Sequence, residues 1–407
     1  MKRRVVVTGM GIISPLGNDI GNAFARLSKL ENCVERLDEL DQFSGLNTRL
    51  GCKASFTRPG HWTRKTVRTM GDVAMYSLAA TEQAIAQAGL EQSDIESGRT
   101  GVAYGSCSGS IAPHIDFFSM LVDKQLKNVT SGTYLKIMPQ TCAVNISVHF
   151  KTHGRLVPTG TACTSGSLAI GNSAELIRWG VQDVMIAGGA DEFSPSQVAV
   201  FDTLYATSLK NDAPKESPAP YDAGRDGLVI GEGACTFVLE SLDHALARGA
   251  KPLAEVVGFA ETTDGTHVTN PNPDTMGSAL SLALEDAGID AAQIGYVSGH
   301  GTATKAGDIA ETTATYGVFR KAVPISSLKS YIGHTLGACG SIEAAMLVES
   351  MNSGWYPPTL NLKTPDPECA PLDYISGEGR RIDCEYTMTN NFAFGGVNTS
   401  LVFRRIR

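Results

Sequence analysis

Residues 157–171 read VPTGTACTSGSLAIG, and residues 323–345 read VPISSLKSYIGHTLGACGSIEAA. Each opens on a short Val-Pro run, passes through a loop of Gly, Ser and Thr, and enters an apolar helical pattern. A second pair, VAYGSCSGS at 102–110 and YVSGHGTAT at 296–304, runs from strand to glycine in both copies. Around these echoes, β-branched runs alternate with alanine-rich helical patterns. The first series is RRVVVTGM, a helix near Val73–Gly89, GVAYGS, a helix from Cys163, and DVMIAGGA. The second is PLAEVVGFAETTDG, a helix over Met276–Gly288, IGYVSGHG, a helix after Asp308, VPISSLKS, and a helix from Gly337. The alternation predicts an α/β fold with largely parallel, buried strands. The echo predicts two similar βα halves, residues 1–250 and 251–407, with the boundary in Arg248–Pro252. Halves meeting face to face bring both sets of strand ends to one cleft, where α/β proteins place their sites.

Composition narrows the class. A chain of 407 residues, 42% hydrophobic and 19% charged, can bury a large core or two fused ones. A net charge of -8 argues against general nucleic-acid binding. The N-terminus MKRRVVVTGMGIISPLG is basic and then briefly apolar, but glycines interrupt it too early for a signal peptide, so it reads as a buried first strand. No run approaches the ~18 consecutive apolar residues of a membrane span. Nine cysteines without CxxC spacing suggest reduced thiols and a cytoplasmic location rather than a disulfide framework or a zinc ribbon. The Pro- and charge-rich stretch Lys210–Asp226 reads as an ordered surface loop.

Cys163 falls at or near the start of a helix whose apolar positions are Leu168, Ile170, Ala174, Leu176 and Ile177. Unpaired N–H groups and the positive end of the helix dipole there favour a thiolate, and the same groups can hold an oxyanion. A single cysteine is more often a buried core thiol, so the local pattern leaves both readings open. Cys107 lies in a Gly/Ser turn that can reach the same cleft, whereas Cys142 and Cys235 read as core. His300 in SGHGTATKAGD and His334 in SLKSYIGHTLGACG follow strands on loops too rich in small residues to be packing elements. His149 and His153 have H-x3-H spacing but no third ligand nearby, so no metal site is expected. NNFAFGGVNTS at 390–400 is either a turn before the last strand or an aromatic gate whose backbone N–H groups face a ligand.

Taken in order, TACTSG around Cys163, HGTAT after His300, SSLKSYIGH with Lys329 and His334, NFAFGG, and YDAGRDGLVIGEGA resemble the β-ketoacyl-[acyl carrier protein] synthases. The resemblance is to the elongating type with two catalytic histidines, and it covers essentially the whole chain. It implies the thiolase fold, two duplicated βα halves in five αβαβα layers, acting as a homodimer or beside a chain-length-factor-like homologue. It implies that Cys163 carries an acyl group and that the backbone N–H groups of Cys163 and Phe394 form the oxyanion hole, Phe394 also gating the acyl pocket. His300 and His334 would then support decarboxylation of a malonyl thioester. Lys329 is expected to pair with Glu311. Thr302 and Thr304 are expected to bind the phosphopantetheine arm, which arrives on an acyl carrier protein, so no cofactor of the enzyme's own is implied. Phe392, Ser108 and Met138 are expected along the substrate path. The acidic carrier needs a basic dock, for which Arg64, Lys65 and Arg68, with Lys124 and Lys127, are the candidates.

Three departures bear on the pathway. Lys305 stands where primary fatty-acid enzymes usually have Pro, Ser298 stands where Asn usually neighbours a structural cation, and Ser108 stands where some relatives have a bulky apolar residue. With GTYLKIMPQTCAVN, they look closest to ketosynthases of aryl polyene pathways, the alternative being housekeeping fatty-acid elongation. A degradative thiolase would use a second Cys as base, a noncatalytic subunit would lack the nucleophile, and a cysteine hydrolase would need a different motif around the Cys.

Overall fold

The computed structural model describes residues 2–406. Eleven strands form its main sheet: β1 (Val5–Ile13), β2 (Thr100–Gly105), β3 (Leu156–Pro158), β4 (Val184–Asp191), β5 (Gly233–Ser241), β6 (Ala254–Thr263), β7 (Ile294–Ser298), β8 (Pro324–Ser326), β9 (Asp373–Tyr374), β10 (Tyr386–Phe392) and β11 (Val397–Arg405). Their spatial order is β9-β8-β7-β10-β11-β6-β1-β5-β4-β2-β3. Read outward from the centre, β1-β5-β4-β2-β3 repeats as β6-β11-β10-β7-β8, and the two sets join through the antiparallel pair β1 and β6. In each set the three outer strands are parallel to one another and the two inner ones antiparallel.

That mixture corrects the expectation of a largely parallel sheet. Strands β1 and β5 are buried along their whole length, so both faces are covered whichever way their neighbours run. A continuous apolar run records this double burial and not strand direction. The duplication appears directly in the pairing pattern.

Helices α1 (Asp72–Ala88) and α2 (Thr141–Phe150) cover one outer face, and α5 (Pro273–Ala287) and α6 (Lys305–Phe319) cover the other. Helices α1 and α5 both end at a left-handed glycine, Gly89 with φ 64° and Gly288 with φ 67°. Between the two halves of the sheet lie α3 (Ser165–Arg178) and α7 (Cys339–Ser353), in the largest apolar cluster. The result is the five-layered thiolase fold. A further helix, α4 (Pro195–Asp202), follows β4 and is capped by the Ser194 side chain.

The central helices begin alike. Ala162 with φ 50° opens a 3-10 turn before α3, and Leu336 with φ 51° opens one before α7. A left-handed residue that is not glycine costs roughly 1–2 kcal/mol, so its occurrence in both copies marks a turn fixed by its surroundings. The helix expected from Gly337 therefore starts at Cys339, after this turn. The two helices touch at Gly166 and Gly340. A Cβ on Gly166 would lie 2.9 Å from the Ser341 nitrogen, and one on Gly340 2.8 Å from the Ser167 nitrogen.

Gly340→Ala is therefore expected to lower the unfolding free energy by about 1–3 kcal/mol through overpacking. Gly317→Ala, on α6 with nothing within 4 Å of the added methyl, is expected to raise it by up to ~1 kcal/mol. Urea denaturation of both variants checks the pair, and equal effects would contradict the packing described.

Candidate active site

The chain carries its reactive groups just beyond the C-terminal ends of the parallel strands. Cys163 follows β3, and Lys329 and His334 follow β8, the matching strand of the other half. His300 follows β7, Phe394 follows β10, and Asp191 ends β4. Cys163, His300, His334, Thr302, Thr304, Phe392 and Phe394 line one cavity of about 260 Å³.

Hydrogen bonding fixes the state of both imidazoles. His334 Nδ1 accepts the Leu336 backbone N–H at 3.2 Å, so the neutral ring carries its proton on Nε2, 2.9 Å from the Cys163 sulfur. His300 Nδ1 faces the Lys329 ammonium at 3.0 Å and the Asn391 amide nitrogen at 3.4 Å, two donors, so its proton is also on Nε2. Burial first, and then the charge of Lys329, holds both rings well below the usual histidine range, which keeps them neutral. The rings stand nearly perpendicular with centroids 5.3 Å apart. Two neutral N–H donors thus serve one cavity.

Burial pushes the Cys163 thiol up to about 11, although Lys329 and the backbone N–H groups of Phe394 and of Cys163 itself pull it down. The thiolate expected from the helix start is therefore not the resting state. The sulfur sits in a nearly dry cavity, 4% exposed, where loss of water outweighs the dipole. What the site does supply is three N–H donors for negative charge as it appears on sulfur.

Lys329 does not pair with Glu311, the partner that the resemblance implies. Its ammonium lies 2.5 Å from Glu343, and both side chains are almost fully buried. Burial works against the charged lysine, but Glu343 more than offsets it and its pKa is raised. The other Glu343 oxygen accepts the Asn391 amide at 2.6 Å, closing a ring of Lys329, Glu343, Asn391 and His300. Glu311 instead accepts the backbone N–H groups of His300 at 2.6 Å and Gly301 at 2.7 Å, with the Tyr221 hydroxyl at 3.2 Å. Burial raises its carboxyl to about 7, although those backbone N–H groups and the charge of Lys329 pull it down. Its work is to hold the loop that presents His300.

Asp191 plays a matching part in the other half. It accepts Gly337 N–H at 2.7 Å, Cys107 N–H at 3.1 Å and the Ser106 hydroxyl at 2.9 Å, so β4 pins the turn after His334.

Residues 2–245 match the family described as Beta-ketoacyl synthase, N-terminal domain, and residues 253–363 match its C-terminal domain. The chain belongs to the β-ketoacyl synthase family. Among its relatives is 3-oxoacyl-[acyl-carrier-protein] synthase 2 of Vibrio harveyi, 39% identical over 100% of this chain and 99% of that one. A β-ketoacyl synthase from Burkholderia phymatum has a crystal structure with TM-score 0.98 and 54% identity, covering 100% of both chains. The ishigamide ketosynthase/chain length factor matches at TM-score 0.92 and 29% identity, again over 100% of both. The enzyme class is that of these synthases, condensing acyltransferases.

Other residues expected of a β-ketoacyl synthase fall in several places. Thr302 and Thr304 are bonded to each other at 2.8 Å on the cavity wall. Phe394, 36% exposed, lies against Phe201 with ring centroids 5.1 Å apart. Ser108 and Met138 are absent from this wall. Ser108 touches Gln197, and Met138 lines a separate small cavity with Leu135, Val144 and Val148, because the segment after β2 folds outward into exposed helices. Cys107 is likewise held off the wall by Asp191. Arg64, Lys65 and Arg68 are exposed on and beside the short helix Arg64–Val67, and Lys124 and Lys127 are exposed after the helix His114–Asp123. All nine cysteines are free, with Cys142 and Cys235 in the core. His149 faces Glu82 at 3.4 Å. Among the described residues no helix is long and apolar enough to cross a membrane.

The reasoning from sequence missed Glu343, Asn391 and Asp191. A lone acid within the otherwise apolar CGSIEAAMLV was the available signal for Glu343.

With the thiol near 11, the rate of Cys163 alkylation by iodoacetamide is expected to climb about tenfold per pH unit from roughly pH 7 to 9. Peptide mapping of the labelled site reads this out. A plateau reached below about pH 8 would contradict it.

Proposed function

We propose that Cys163 takes an acyl group from a carrier thioester and that His300 and His334 drive its extension with a malonyl unit. The observation that carries this reading is the convergence of His334 Nε2 and the backbone N–H groups of Phe394 and Cys163 on one sulfur, with a second neutral imidazole in the same cavity. In the loading step, sulfur attacks the thioester carbon and the carrier thiol leaves, taking the cysteine's proton. The N–H groups of Cys163 and Phe394 hold the tetrahedral oxyanion. Acylation caps the sulfur and frees His334 for the next substrate.

A malonyl thioester then enters along Thr302 and Thr304. Its carbonyl oxygen accepts from His300 and His334, so loss of CO2 leaves an enolate stabilised by two neutral donors. The enolate carbon attacks the acyl carbon, the carbon–sulfur bond to Cys163 breaks, and the released thiolate takes up one proton. Lys329 keeps the His300 proton on the ring nitrogen that faces substrate. Glu343 and Asn391 hold Lys329 in place.

The acyl carrier protein docks on the exposed Arg64, Lys65 and Arg68, with Lys124 and Lys127 as a second basic group. The enzyme works as a dimer, through a copy of itself or a chain-length-factor-like homologue. Supporting this, the helix His114–Asp123 has no buried residue and exposes Ile115, Phe118, Leu121 and Val122, and β3 is an edge strand with exposed Leu156. Its location is the cytoplasm. Its pathway is specialised aryl polyene or polyketide-type elongation, supported by Ser108, Ser298 and Lys305 and by the likeness to the ishigamide pair.

Intact-mass analysis with carrier-bound cinnamoyl, carrier-bound saturated chains and free pantetheine thioesters tests these readings together. The aryl chain is expected to load fastest, and preference for saturated chains would return the enzyme to fatty-acid elongation. The double variant Arg64→Glu, Lys65→Glu is expected to slow only the carrier-bound arms. Equal slowing of free thioesters would contradict docking there.

A further inference from the structure

Two clusters of metal-ligating side chains meet at His300. In the first, the Cys163 sulfur and ring nitrogens of His300 and His334 lie within 4.8 Å of one another. In the second, a His300 ring nitrogen, the Cys339 sulfur and a Glu343 carboxylate oxygen are grouped as closely. Every one of these side chains is buried. Thiolate with imidazole, or with imidazole and carboxylate, is a donor set that suits zinc and its softer neighbours. A metal ion held in either cluster would cap the Cys163 sulfur or lock the His300 ring.

The groups behind the ligands decide whether a metal can enter. A histidine that binds a metal donates its other ring N–H to a carbonyl, a carboxylate or water. The first cluster has the reverse arrangement. His334 Nδ1 accepts the Leu336 N–H at 3.2 Å, and His300 Nδ1 faces the Lys329 ammonium at 3.0 Å. Each Nε2 therefore carries the ring proton and has no lone pair to give. Moving that proton to Nδ1 would set one donor against another. In the second cluster His300 Nδ1 does offer a lone pair, but the Lys329 ammonium already fills the place of a metal ion. It lies 3.0 Å from that nitrogen and 2.5 Å from Glu343. Cys339 keeps its proton, its thiol donating to the Cys163 carbonyl at 3.2 Å.

We propose that Lys329 has a second function, as a fixed cation that occupies the His300–Cys339–Glu343 cage and bars soft divalent ions such as Zn2+ from the catalytic cavity. The ammonium satisfies the carboxylate and the imidazole lone pair as a metal would. It is tethered to the chain, so it neither exchanges nor drifts toward the Cys163 sulfur. Its positive charge also repels a dication from the first cluster, which shares His300. This goes beyond orienting the ring, which a neutral donor at the same place would do equally well. It holds whichever thioester Cys163 accepts.

Co2+ titration of the full chain tests this, read by the thiolate-to-cobalt charge-transfer band. The wild type is expected to show no band that depends on Cys163 or Cys339, and Zn2+ is expected to leave the rate of Cys163 alkylation by iodoacetamide unchanged. Lys329→Ala empties the cage and is expected to gain a Cys339-dependent band, absent from the double variant Lys329→Ala, Cys339→Ala. Coordination expels the Cys339 proton to solvent, so the gained affinity is expected to rise with pH. A wild-type band that vanishes in Cys163→Ala or Cys339→Ala overturns the proposal, as does a folded Lys329→Ala without a band. Should Lys329→Ala fail to fold, the wild type decides alone: protection of Cys163 by Zn2+ refutes the barrier, and unchanged labelling upholds it.

Discussion

The close approach of Gly166 and Gly340 is the contact on which the rest of the molecule depends. Each glycine sits in the first turn of a central helix, and each helix belongs to a different half of the chain. With no side chains between them, the two helix starts lie close enough for Cys163, from one half, to come within 2.9 Å of His334, from the other. A catalytic constellation needs that closeness, since positioning errors of an ångström cost large factors in rate. The duplicated sheet, the left-handed residues Ala162 and Leu336, and the pins from Asp191 and Glu311 all hold this meeting point. The halves have also diverged there: the turn that presents Cys163 in one copy has Gly337 in the other.

The electrostatics follow from burying the site so deeply. Removing water raises the thiol and lowers the imidazoles, which suits a reaction that needs neutral donors and a sulfur that gains charge only during attack. Lys329 is the cation nearest to both histidines. Left alone it would be a severe cost at that depth, and Glu343 supplies its counter-charge. The same lysine orients His300 and favours charge on Cys163, so in the proposed mechanism one ion pair serves both steps. Asn391 ties this pair to β10, the strand that leads to Phe394.

Much of this was legible in the sequence, for identifiable reasons. The halves showed because TACTSGSLAIG and LGACGSIEAA repeat one turn and one helix start. Cys163, His300 and His334 showed because loops of Gly, Ser and Thr do not bury catalytic residue types by accident of packing. Strand direction did not show, since β5 and β11 read as buried runs in either orientation. Glu343, Asn391 and Asp191 stayed hidden because a single polar residue in a helix or strand usually faces solvent. Their partners lie far along the chain: Lys329 is 14 residues from Glu343, and Gly337 is 146 from Asp191. Glu311 seemed the natural partner for Lys329 by resemblance, yet the backbone of the His300 loop had already claimed its oxygens.

The account assigns acyl loading to sulfur and decarboxylation to the imidazoles, and release of CO2 from malonyl-carrier without an acyl partner separates the two most directly. Cys163→Ala should take up no acyl group yet still release CO2, whereas His300→Ala should load acyl groups and release almost none. If CO2 release instead disappears with the sulfur and survives loss of the His300 ring, this division of labour is wrong.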